Sequence, residues 1–296
     1  MKYIFYLLIF VIILFISSCK ESTTDSGGNQ TANFTQIDYE PSFSANGNKI
    51  LYIHSNIDFE FTGIKLKDLI TGSDSLLINS NARSPALSPD SKNISYSINN
   101  FLVKAKFNGD SQQTLKSSGI NLYPKWDFNG SRILFADVEK NSSGNGVWLI
   151  NSDGSGSQLL ESNASFPFWI NDSRIVFFKI IFDSNGNESG DTIIERNIDG
   201  TDRSIIRVLQ GNDHVRNSFL NYHNGEYIFC STSSAGYSYI YKRNSSGEVI
   251  RLTETQGWSP AVNRSDGRII YTNRNPGNGR LWEMDINGNG KKQITF

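Results

Sequence analysis

The 296-residue chain is poor in the residues that most often do chemistry, with two cysteines, three histidines and two methionines. Two cysteines, Cys19 and Cys230, cannot staple a chain of this size as small secreted domains are stapled. The three histidines, His54, His214 and His223, fall at unrelated places in the repeat described below, so no metal and no other cofactor is expected. Gly-x-Ser-x-Gly, His-Glu-x-x-His and the phosphate-binding loop are all missing, which removes the signatures of serine hydrolases, zinc peptidases and P-loop nucleotidases. An excess of one charge is missing too. With 28 Lys and Arg against 29 Asp and Glu, the net charge is −1, and nothing resembles the basic footprint of a nucleic-acid binder.

Long apolar runs are also scarce, with one exception at the start. After Met1-Lys2, residues 3–16 form an apolar stretch of 14, followed by Ser17-Ser18-Cys19. A membrane-spanning helix needs about 20 apolar residues, so the stretch reads as the core of a secretory leader, residues 1–18. Ile16-Ser17-Ser18-Cys19 resembles the bacterial lipobox, which implies cleavage before Cys19 and acylation of its thiol. More than one acyl chain gives a stable anchor, since a single chain binds marginally. Residues 19–33 then form a spacer with no side chain able to build a core. The expected address is the bacterial cell envelope, on a membrane that Lys20 after the cysteine argues is the outer one.

From residue 34 to residue 296 the chain repeats one phrase six times. A copy has an aromatic or Pro-centred entry, a tight turn that is Asn-Gly or Asp-Gly in four units and Asp90-Ser91 or Asn171-Asp172 in the other two, and a basic or polar residue leading into a β-branched and aromatic run. Tyr123-Pro124-Lys125-Trp126-Asp127-Phe128-Asn129-Gly130-Ser131-Arg132-Ile133-Leu134-Phe135 is the clearest copy. Anchored on Pro41, Pro85, Pro124, Pro167, Ser218 and Pro260, the spacings are 44, 39, 43, 51 and 42 residues. Within each unit a second polar turn recurs, at Gly72, Gly109, Gly154, Gly200, Gly247 and Gly288. Two turns in register divide a unit into four short strands, here named a to d. A four-stranded sheet cannot bury both faces alone, so the expectation is an all-β, six-bladed β-propeller. Each unit supplies its own four strands, and residues 34–37 are candidates for an extra edge strand at the seam.

Pro85-Ala86-Leu87-Ser88-Pro89-Asp90, Pro124-Lys125-Trp126, Leu252-Thr253 and Asp285-Ile286-Asn287-Gly288 resemble the WD40-like repeat of TolB-type propellers. The resemblance covers the chain from about residue 34 onward and implies the fold. TolB itself carries an additional N-terminal α/β domain and no lipid, so its role does not travel with the resemblance.

Ligands of such propellers usually meet the face that carries the b–c and d–a connections. The residues expected at its channel mouth are Glu40, Arg83, Tyr123, Phe166, His214, Arg216 and Trp258. Aromatic rings and arginines suit a peptide or a glycan, because they offer contact area and forked hydrogen bonding. Residues 183–191 alternate oxygen-bearing side chains like a calcium loop, but the required glycine and the closing glutamate are absent, so a long exposed excursion is expected. Cys230 reads as a small buried core residue. The function expected is non-enzymatic binding of an envelope protein or peptide by a monomer held to the membrane through Cys19. The alternative is a carbohydrate-binding or glycan-active protein, lyase or hydrolase, using the central funnel.

Overall fold

The computed structural model describes residues 36–56, 62–139, 144–182, 184, 188–206, 214–274 and 279–296. The leader, Cys19 and the spacer lie outside these residues. Every described element is a strand, and the strands form six four-stranded antiparallel sheets, each made of four consecutive strands. The blades are residues 36–78, 82–116, 121–162, 164–206, 214–251 and 257–293. Among the described residues no helix is long and apolar enough to cross a membrane.

The β-branched runs become strand b because that strand is covered on both faces. Ile50 to Ile53, Ile133 to Ala136 and Ile175 to Phe178 are all at most 1% exposed, so apolar residues need not alternate with polar ones. Strand d lies at the outer edge of each blade and is short, as in Ser204–Ile206 and Val249–Arg251, which limits the unpaired backbone it presents.

The apolar side chains gather in six clusters, and each joins two neighbouring blades. Phe168, Val176 and Phe178 of blade four meet Leu220, Tyr227 and Phe229 of blade five, for example. Ile50 and Tyr52 of blade one meet Ile270, Leu281 and Ile294 of blade six. At about 1.5–3 kcal/mol for each large side chain buried, stability resides between sheets rather than within them.

The two turns of each unit are built from local polar groups. Ser44 and Ser88 accept the backbone N–H of Lys49 and Asn93 at 3.0 and 2.9 Å, while Asp127 accepts that of Arg132 at 3.1 Å. The six glycines of the second turn all have positive φ, between 75° and 92°.

The ring closes between blades six and one without a shared strand. Gln36 and Ile37, two of the candidates for an extra edge strand at the seam, instead begin strand a of blade one, paired with Asn56 and Ser55. Among the described residues a backbone bond from Asp38 N–H to the Gly279 carbonyl at 2.7 Å is joined by side chains. Arg268 donates to the Gly47 carbonyl at 3.0 Å, and the Thr272 hydroxyl donates to the Asp38 carbonyl at 3.1 Å. Gly47 is tightly held here, since a Cβ on it would lie 2.1 Å from the Asn263 amide.

Candidate functional site

All six inner strands break register at the same place. The breaks fall between Tyr39 and Ser42, Arg83 and Ala86, Ser165 and Phe168, Ser218 and Asn221, and Trp258 and Ala261, with the same break in blade three opposite Leu134 and Ala136. Each break is a bulge of two residues, which bends the strand and re-aims its side chains. The first bulge residue is left-handed in every blade: Glu40, Ser84, Tyr123, Phe166, Phe219 and Ser259 have φ between 45° and 58°. None is glycine, and a non-glycine residue costs about 1–2 kcal/mol in that conformation. All six line a small chamber on the ring axis, together with the residue that follows each of them.

This geometry corrects the reading of blade five. The residue in the proline position is Leu220, not Ser218, so the bulge residue is Phe219. Arg216, placed at the mouth by the Ser218 anchor, pairs with Thr232 three residues upstream of the bulge. The side chains of Arg216 and His214 lie outside the described residues. Glu40, Tyr123 and Phe166 do line the chamber, whereas Arg83 and Trp258 stand one residue upstream of their bulges.

On the loop side, aromatic rings from five blades form a continuous chain. Tyr39 stacks on Trp258 at 5.4 Å, and Trp258 meets the edge of Phe219 at 6.0 Å. Phe219 contacts Phe166 at 5.1 Å, and Phe166 contacts Tyr123 at 4.3 Å. Phe219, Phe166, Tyr123 and Trp258 are half-buried, so these four rings are neither core nor free surface, whereas Tyr39 is buried in the core between blades one and two. Blade two, which adds no ring to this chain, contributes the exposed Arg83.

Glu40 lies beneath the rings. Its Oε2 accepts the Ser84 backbone N–H at 2.7 Å and the Ser84 hydroxyl at 3.1 Å. Burial raises its carboxyl above the ordinary range, against the pull of the Ser84 N–H, Arg83 and Lys125. On the turn side of the bulges the channel widens into a second cavity, with about 260 Å³ of room for water-sized molecules against about 30 Å³ in the first. Lys125 and Asn221 line both cavities.

The other candidates have structural tasks. His54 Nδ1 lies 2.7 Å from the Asp38 carboxylate, which Arg280 approaches at 3.5 Å, so it belongs to the seam. His223 sits at the a–b turn of blade five, beside Gly267 of the next blade. No group of three or more potential metal ligands occurs among the described residues. Of the calcium-like excursion, residues 183 and 185–187 lie outside the described set. Both oxygens of Asp191 accept from Asn217 of blade five, one from its backbone N–H at 2.8 Å. Cys230 is fully buried, and burial pushes its thiol up to about 12.

Fold and channel together define a six-bladed propeller of complete four-stranded blades, with an aromatic mouth on its loop face. No protein-family model matches the chain, and none of the curated proteins does. Solved structures do. A protein assigned as TolB, from Agrobacterium tumefaciens, has a TM-score of 0.64 at 18% identity, covering 78% of this chain and 87% of that one. An oligogalacturonate lyase in complex with manganese has a TM-score of 0.57 at 12% identity, over 92% of this chain and 84% of its own. The propeller domain of the Trilobed protease from Pyrococcus furiosus, which has an open velcro topology, gives 0.60 at 13% identity, over 89% and 99%. At these identities the likeness concerns the fold.

Proposed function

We propose that this chain is a lipid-anchored module of the bacterial envelope that binds a protein or peptide at the loop-side mouth. The observation that carries the reading is the half-buried chain of Trp258, Phe219, Phe166 and Tyr123 beside the exposed Arg83. Binding hot spots concentrate aromatic rings and arginine where a partner can dehydrate them. Left-handed bulges hold three of these rings in place before any partner arrives, so little side-chain freedom is lost on binding. The acylated Cys19 and its spacer give the ring a tether to the membrane, and the likeness to TolB-type propellers agrees with an envelope address. A glycan-active reading has one observation in its favour, the raised carboxyl of Glu40 in the channel, which suits a general acid.

The test is affinity capture from envelope extracts with the detergent-solubilised chain and an Arg83→Ala, Trp258→Ala double variant. Loss of specific proteins with the variant is expected. Identical captured sets remove the mouth as the partner site.

A further inference from the structure

We propose that the turn-side cavity is a binding site for a small organic carboxylate, its head held between Arg264 and Lys125 and its apolar body against the channel wall. This site lies beyond the bulges from the mouth, and its Arg264 does not line the chamber on the mouth side.

Arg264 and Lys125 belong to blades six and three, which face each other across a six-membered ring. Arg264 and Phe128 stand at the same repeat position, four residues after Pro260 and Pro124. They meet across the axis, with the guanidinium carbon 4.3 Å from the Phe128 ring centre and 5.0 Å from that of Phe168. Cation–π contact with two rings holds the guanidinium in place, and among the described residues its forked donors are nearly unused. Among the described residues its one hydrogen bond, to the Trp126 carbonyl, is long at 3.5 Å. The Lys125 ammonium lies 5.7 Å from the Phe168 ring, and among the described residues neither cation has a carboxylate within ion-pair distance.

Among the described residues no Asp or Glu lines this cavity. The acids nearest in charge are engaged elsewhere: Asp127 with Arg132 at 2.9 Å, Asp172 with the Phe128 N–H at 2.9 Å, and Glu40 with Ser84 on the far side of the bulges. Burial lowers Arg264 to about 10, and burial with the neighbouring Arg264 lowers Lys125 to about 8. Two half-buried cations that repel each other burden the fold, and no ion pair among the described residues offsets them beyond the longer-range attraction of Glu40, Asp127 and Asp172. A carboxylate does so, because it matches the guanidinium fork with two parallel hydrogen bonds. The rest of the wall includes Phe43, Leu87, Phe128, Phe168 and Val262. That surface favours an apolar body over a compact phosphate, which needs donors on every side.

The experiment is isothermal titration of the full chain, in uncharged detergent at pH 7 and constant ionic strength, with phenylacetate and separately with inorganic phosphate. One saturable phenylacetate site per chain is expected, weakened at least tenfold by Arg264→Gln and by Lys125→Met. Arg251→Gln, which alters an exposed arginine stacked on Tyr239 at an outer strand, is expected to bind as the parent does. Without ligand, Lys125→Met is expected to unfold at the same temperature as the parent or higher, since it removes an unpaired charge. No saturable binding, parent-like binding by both channel variants, or tighter binding of phosphate than of phenylacetate overturns the proposal. A lower unfolding temperature for both channel variants without ligand also overturns it, by showing that the cations hold the ring together.

Discussion

Replacing Phe219 by glycine leaves the protein more stable than replacing it by alanine. Either change removes the ring and its contacts with Tyr123 at 5.7 Å, Phe166 at 5.1 Å and Trp258 at 6.0 Å. Three aromatic pairs at about 0.5–1.5 kcal/mol each amount to roughly 1.5–4.5 kcal/mol, lost equally in both variants. The variants differ only in the backbone. Residue 219 has a φ of 52°, where alanine carries the left-handed penalty of about 1–2 kcal/mol and glycine does not. Glycine in turn loses about 0.5–1 kcal/mol more chain entropy on folding. The difference favours glycine by about 0–1.5 kcal/mol, whereas in an ordinary strand alanine leads by about 0.5–1 kcal/mol. Urea unfolding followed by tryptophan fluorescence measures this, provided the two variants share one m-value. Alanine more stable than glycine refutes the left-handed bulge and, with it, the idea that the rings are held ready by the backbone.

Glu40→Gln tests the buried carboxyl through pH. A raised folded value means that the folded chain keeps a proton the unfolded chain has lost, so stability falls as pH climbs from the ordinary carboxylate value of 4.5 through the raised one. The variant lacks that decline, and its stability relative to the parent is expected to be higher at pH 7.5 than at pH 4; a flat difference across that range contradicts the assignment. The two cysteines are expected to behave in opposite ways: a fatty-acid probe labels the parent but not Cys19→Ala, and iodoacetamide at pH 8 modifies Cys230 only after unfolding. Label persisting on Cys19→Ala sinks the anchor, and rapid native alkylation of Cys230 contradicts its burial.

The ring itself was legible because its signals are local and repeated. Asn-Gly and Asp-Gly turns at fixed distance from β-branched runs need no knowledge of distant contacts, and the strands at Arg132–Asp137 and Ile269–Asn273 fall where those runs stand. Blade five slipped by two residues because Leu220 replaces the proline that anchors the other units, and both alignments keep an acceptable distance to the Asn224-Gly225 turn. The left-handed ring had no local signal at all, since sequence marks positive φ with glycine or asparagine and these positions hold Glu, Ser, Tyr and Phe. Lys125 and Arg264 stand 139 residues apart in the sequence, and only closure of the ring brings them to one cavity. Lys125 was nonetheless visible as an anomaly. At the position after the proline the other units carry Ser42, Ala86, Phe168, Asn221 and Ala261, none of them charged.

The seam between blades six and one has a consequence for how the chain can be cut and rejoined. Since no sheet borrows a strand from the other end of the sequence, every blade-to-blade connection is topologically equivalent to the seam itself. A circular permutant that links residue 296 to residue 36 and opens instead in the loop before Ala82 or before Gly257 keeps all six sheets whole. The ring is a closed cycle of interchangeable joints, and the point at which the polypeptide enters it is a matter of connectivity rather than of architecture.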